Sequence, residues 1–135
     1  MKKVYPVIFT QTEGCILVEV PDLEIFTEGK DFSDAIEMAR DAIGLKGISL
    51  EDDKMALPEP SQDIDIKNST FAAEGKTILS LVDVDFQVYR RKNDNKMVRR
   101  NVTLPNWLDQ EAERANINVS KILQDALMDK LEVHR

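Results

Sequence analysis

The chain is 135 residues long, 42% hydrophobic and 32% charged, with a formal net charge of −7. That composition is globular and bounds the chain to one or two domains; no apolar run is long enough to cross a membrane and no secretory signal is recognisable, so a cytoplasmic protein is expected. Cys15 stands alone, which excludes an intramolecular disulfide and a cysteine metal site.

From the N-terminus, Val4 to Gln11 alternates with Tyr5, Val7 and Phe9 on one face, and Thr12-Glu-Gly14 turns the chain into a second strand, Cys15 to Val20. Pro6 has no N–H for a ladder, so the first strand is expected to start there or to lie at an edge. A third short strand spans Ile25 to Thr27. Asp31 then caps a helix whose first turn carries Asp34 and whose apolar face is Phe32, Ala35, Ile36, Ala39, Ala42 and Ile43, with Gly44 as its expected end. Leu57-Pro-Glu-Pro-Ser61 falls in an irregular stretch, since two prolines interrupt pairing. A long strand is expected over Thr77 to Tyr89, with Ile78, Val82, Val84, Phe86 and Val88 on one face.

Arg90 to Lys96 contains no apolar residue and reads as a linker. The expected domains are therefore 1–92 and 93–135. Charge divides with them: residues 1–95 carry 11 Lys and Arg against 19 Asp and Glu, whereas residues 96–135 carry 7 against 6. The acidity belongs to the first part, where it can attract a basic partner.

Beyond the linker, Val98, Val102 and Leu104 fall on one face of a short strand, and Arg99, Asn101 and Thr103 on the other. A lone strand leaves its backbone groups unpaired, so the same strand of a second chain is the expected partner, giving an antiparallel ribbon of major-groove width. Asn106 is placed to cap a helix carrying Trp107, Leu108, Ala112 and Ala115; Asn118 is placed to cap a second, with Val119, Ile122, Leu123, Ala126, Leu127 and Leu131 in one stripe. A module this small needs a homodimer to bury a core.

From Lys96 to Arg135 this segment resembles the ribbon-helix-helix family of dimeric DNA-binding modules. The resemblance implies base contacts from Arg99, Asn101 and Thr103, phosphate contacts near Asn118, Val119 and Ser120, and an operator that is an inverted repeat. The residue chemistry agrees, because arginine suits guanine, asparagine suits adenine, and a helix N-terminus favours anions. Upstream, Tyr5-Pro-Val-Ile-Phe9, Gly14, Val20-Pro-Asp-Leu23, Thr27-Glu-Gly29, Ala35 to Ala39 and Pro58-Glu-Pro-Ser61 resemble, in order and spacing, the N-terminal domain of HicB-type antitoxins. Glu24-Ile25 departs from the small turn common there. The resemblance implies an α+β protein: a three-strand, helix, strand domain of partial RNase H-like fold, joined to a dimeric ribbon-helix-helix module. It implies a type II antitoxin, without enzymatic activity or cofactor, that inhibits a HicA-type mRNA-cleaving toxin and represses its own operon. Asp22, Glu24 and Glu28 are candidate toxin contacts through charge.

Two other readings stand beside it. A ribbon-helix-helix repressor could carry a small-molecule-sensing first domain. A magnesium-dependent nuclease could use Asp83 and Asp85, which share a strand face, but two carboxylates without others converging on them are too few for a two-metal site. His134, the only histidine, lies next to the chain end and reads as a tail residue.

Overall fold

In the computed structural model, which describes residues 1–134, the alternating segments close into one antiparallel sheet backed by a helix. Arg135, the last residue of the expected C-terminal module, lies outside the described residues. The protein is mixed α+β. It forms two compact units, Met1–Asp94 and the remainder from Asn95.

In the first unit, β1 (Lys2–Gln11), β2 (Ile16–Val20), β3 (Ile25–Gly29) and β4 (Lys76–Asp85) lie in the order β3-β2-β1-β4, and α1 (Phe32–Asp52) covers one face. Period-two alternation puts Tyr5, Val7 and Phe9 of β1, Ile16, Val18 and Val20 of β2, and Val82 and Val84 of β4 against Ala35, Ala39 and Ile43 of α1, all buried. Small residues on α1 let the helix lie close to the sheet, and Ile43 fills the space between.

Pro6 is not the start of β1. The strand begins four residues earlier, yet at Pro6 it pairs only with Leu81 of β4, because the β2 register spans Ile8 to Gln11. The position is locally an edge, which tolerates the missing donor. The start of α1 is as expected: Asp31 accepts from Asp34 N at 2.8 Å, while Asp34 accepts from Lys30 N at 2.8 Å.

The end of α1 differs from the sequence expectation. Gly44 does not terminate it; the helix runs on to Asp52 with Gly44 and Gly47 buried in its interior. A methyl group at either position would fall inside the ring of Tyr89 or Phe86 respectively. The glycines serve packing, in a helix that can bear their propensity cost of about 1 kcal/mol each. The expected strand to Tyr89 also stops early, at Asp85. The Asp85 carboxylate accepts from Gln87 N at 3.1 Å and Val88 N at 3.2 Å, capping α2 (Phe86–Asn93) in its place. Arg90 to Asn93 are thus helical rather than linker. Arg90 clamps α2 to the end of α1, reaching Asp52 at 3.0 Å and the Ile48 carbonyl at 3.3 Å.

The opposite face of the sheet is partly covered by the irregular segment between α1 and β4. Thr70 donates to Glu19 at 2.9 and 3.0 Å and Phe71 meets Phe26 edge-on at 5.8 Å; the same segment is also tied down by Ser61, which donates to Asp22, and by Tyr5, whose Oη reaches the Pro58 carbonyl at 2.6 Å from the face against α1. Ile8 and Thr10 are buried in consequence.

Both tyrosines of the chain are held protonated. Burial raises Tyr5, with Glu59 and Asp22 adding to the effect; burial and then the Asp41 carboxylate, which accepts from Tyr89 Oη at 2.9 Å, push Tyr89 up to about 12. An unfolded phenol titrates near 10, so above that pH the unfolded chain releases protons the folded one keeps, and stability falls as pH rises toward about 12. Absorbance titration is expected to find no phenolate step at pH 10 in the folded protein and two in urea. A full normal step in the native protein would contradict this packing.

In the second unit, α3 (Asn106–Arg114) and α4 (Val119–Leu131) are joined by a turn with Asn116 in the left-handed region, φ 53°. Asn106 is not a cap; Pro105 takes that position without a side-chain bond and Asn106 is the first helical residue. Residues 94–105 form no strand. The strand expected over residues 98–104 does not form in the single chain, which offers it no second strand to pair with.

Candidate functional site

The second unit has no buried residue among residues 95–134. Val98 is 80% exposed, Trp107 62% and Leu131 66%, and Val102, Ile117, Ile122 and Leu127 are also exposed. Apolar residues at strand and helix spacing, with nothing over them, make a surface suited to burial against another chain. Arg99, Asn101 and Thr103 are exposed along the extended stretch before α3, alternating with Val98, Arg100 and Val102. Arg100, on the same parity as the apolar set, is exposed as well.

Asn118, Val119 and Ser120 come together at the start of α4. Asn118 Oδ1 accepts from Lys121 N at 3.1 Å, so the cap is made locally. The amides of Val119 and Ser120 lie in the first turn, where helix N–H groups have no intrahelical acceptor and carry the positive end of the helix dipole.

The acidic candidates separate. Asp22 is occupied by the first unit itself: its carboxylate accepts from Ser61 N at 2.8 Å and Ser61 Oγ at 2.5 Å. Glu24 follows in the left-handed region, φ 54°, closing the turn into β3, and its side chain is exposed. Glu28 is exposed on β3, on the sheet face that also carries Phe26 and Glu19. Sequence reading could not find the Ser61 bond, which joins residues 39 apart. It also passed over Phe26, more than half exposed beside Glu28, whose signal was an aromatic ring on the outward parity of a short strand.

Asp83 and Asp85 are engaged in structural roles. Asp83 lies 3.1 Å from Lys2 Nζ and 3.3 Å from Arg40 Nη2, and the hydrogen bonds from these cations hold its carboxyl below the usual carboxylate range. Asp85 is lowered too, first by the backbone N–H of Val88 that it caps. Cations fill the place a metal would need at Asp83, and no group of His, Cys, Asp or Glu among the described residues is arranged to hold one. His134 is exposed near the chain end.

A family model described as HicB-like antitoxin of bacterial toxin–antitoxin systems matches residues 5–132. A chain of a toxin–antitoxin complex from Streptococcus pneumoniae is similar at 26% identity and a TM-score of 0.60, over 96% of this chain and 99% of that one. A chain of a HicA3 and HicB3 toxin–antitoxin complex shares 27% identity with a TM-score of 0.50, covering 62% of this chain and 99% of that one. The antitoxin HicB of Burkholderia pseudomallei is similar in fold, at 23% identity and a TM-score of 0.51, over 96% of each chain. No curated protein matches the sequence.

Proposed function

Because the chain belongs to the family of HicB-like antitoxins of bacterial toxin–antitoxin systems, a family of inhibitors and not an enzyme class, we propose that it neutralises a HicA-type toxin and represses its own operon. Residues 1–92, of partial RNase H-like fold, take the toxin. Residues 93–135 take operator DNA as a dimeric ribbon-helix-helix module. The observation that carries the division is the contrast between the units: the first has a closed core, whereas the second exposes Val98, Trp107, Ile122 and Leu131 at the spacing of a strand and two helices.

In the dimer, residues 98–104 of two chains pair as antiparallel strands, so Val98, Val102 and Leu104 become core. Arg99, Asn101 and Thr103 then point outward, twice, into a major groove, and an operator that is an inverted repeat follows from the two-fold axis. The first-turn amides of α4 at Val119 and Ser120, with the Asn118 cap, hold a phosphate on each side and fix the register. On the first unit, Glu24 and Glu28 supply exposed carboxylates that steer a basic toxin, while Asp22 contributes by holding the Ser61 loop in place.

Co-expression with the cognate HicA-type toxin tests the first half. The full chain and the fragment Met1–Asp94 are both expected to copurify with the toxin and to restore growth, and only the full chain to retard operator DNA. A fragment that folds yet neither binds nor rescues would refute the assignment of toxin binding to the first unit.

A further inference from the structure

The sheet ends in an open strand. β4 is ten residues long and pairs only with β1, so its outer side has no partner among the described residues. Phe86 N donates inward to the Met1 carbonyl at 3.0 Å, whereas the Asp83 carbonyl accepts from Arg40 Nε at 3.1 Å. Both bonds fix the same alternation: even-numbered residues of β4 bond toward β1, and the amides and carbonyls of Leu79 and Leu81 point to the open side. Arg40 closes that side at Asp83, and the outward backbone groups of Thr77, Leu79 and Leu81 lie beyond it.

This free stretch lacks the usual guards. Residues 77–82 contain no charge, proline or glycine in a chain that is 32% charged, and Ile78 (38% exposed), Leu79 (41%) and Leu81 (68%) present apolar surface on both faces of the sheet. Edge strands without such guards pair with other strands.

We propose that β4 pairs antiparallel with β4 of a second copy of this chain, across a two-fold axis at Ser80. The sequence selects the occupant, because Ile78-Leu-Ser-Leu-Val82 reads nearly the same in both directions. Opposed residues in an antiparallel pair share a face, so a two-fold axis between the strands must centre on a residue. Centred on Ser80, Leu79 faces Leu81 in a hydrogen-bonded pair on each side of the axis, and Ile78 faces Val82. Centring on Leu81 sets Leu79 against the Asp83 carboxylate; centring on Leu79 sets Leu81 against Thr77. Charge argues against a basic protein at this edge, since the stretch is neutral and Asp83 is already balanced by Lys2 and Arg40.

The contact is independent of the DNA-binding unit, and so is its test. In full-length chains carrying Cys15→Ser, the Ser80→Cys variant is expected to form a covalent dimer on mild oxidation with diamide, because opposed residues in a non-hydrogen-bonded pair have Cα atoms about 4.5 Å apart, within disulfide reach. Leu79→Cys and Leu81→Cys are expected to cross-link readily only when the two are mixed. In the wild-type background, the Leu79→Lys/Leu81→Lys double variant is expected to halve the native mass by light scattering with an unchanged circular dichroism spectrum, since both side chains are exposed in the single chain. The starting species is then a tetramer, in which residues 98–104 and β4 each join a different pair of chains, and the expected product is the dimer held by residues 98–104. An unaltered mass, or Ser80→Cys cross-linking no faster than Thr77→Cys, overturns the proposal.

Discussion

Replacing Arg99 with alanine is expected to weaken operator binding by roughly 2 to 6 kcal/mol per dimer, because a bidentate side-chain–base pair contributes about 1 to 3 kcal/mol and the two-fold axis presents each pair twice. Asn101→Ala is expected to act similarly at a different base. Neither change touches the apolar side of the segment, so the dimer is expected to melt as before. The decisive quantity is the ratio of cognate to scrambled-duplex affinity at one fixed salt concentration, which both substitutions should reduce. Ser120→Ala should lower both affinities together, since phosphates carry no base identity. Were the ratio intact in folded Arg99→Ala and Asn101→Ala dimers, residues 98–104 would not be the element that reads sequence.

Ile43→Ala is expected to destabilise the first unit by about 2 to 5 kcal/mol, a large share of the roughly 5 to 15 kcal/mol that holds a domain folded. Ile43 is fully buried within the cluster of Val7, Val18, Val20 and Val82 that joins α1 to the sheet, and the helix backbone there is pinned by Tyr89 and Phe86 over Gly44 and Gly47. The site cannot collapse easily around a missing side chain. Hydrogen exchange of β1 and β2 amides reads the effect, because Trp107 belongs to the other unit and would report on it instead. Leu45→Ala, two residues along and 58% exposed, is expected to change stability by no more than about 0.5 kcal/mol. Equal effects at the two positions would contradict the packing of α1.

What the sequence made legible was local. Alternation in Val4 to Gln11 and the Asp31–Asp34 pair each act over a few residues, and β1 and the start of α1 formed accordingly. What escaped was set from a distance. Gly44 reads as a helix stop until the ring it accommodates, that of Tyr89, comes into contact with it from far along the chain. Alternation through Phe86 and Val88 fits a strand, yet those residues equally serve a helix that packs on α1, and the Asp85 cap decides between them. Among site residues, Asp22 looked like Glu24 and Glu28 in sequence; only the fold, by returning Ser61 to it, set it apart. The strand expected over residues 98–104 is the extreme case, since nothing within one chain pairs with it.

The absence of any buried residue between 95 and 134 has a consequence for how much of this protein a cell must hold. In the dimer proposed above, that unit's interior would exist only between two chains, so it would have no fixed melting temperature; by mass action its folded fraction would rise with the concentration of the chain itself. When copies are scarce it is then expected to open readily, with its backbone accessible to proteases while the first unit stays closed. With the proposed operator binding, such a segment would measure abundance: the capacity to occupy an operator would grow more steeply than the number of chains, and dilution alone would withdraw it.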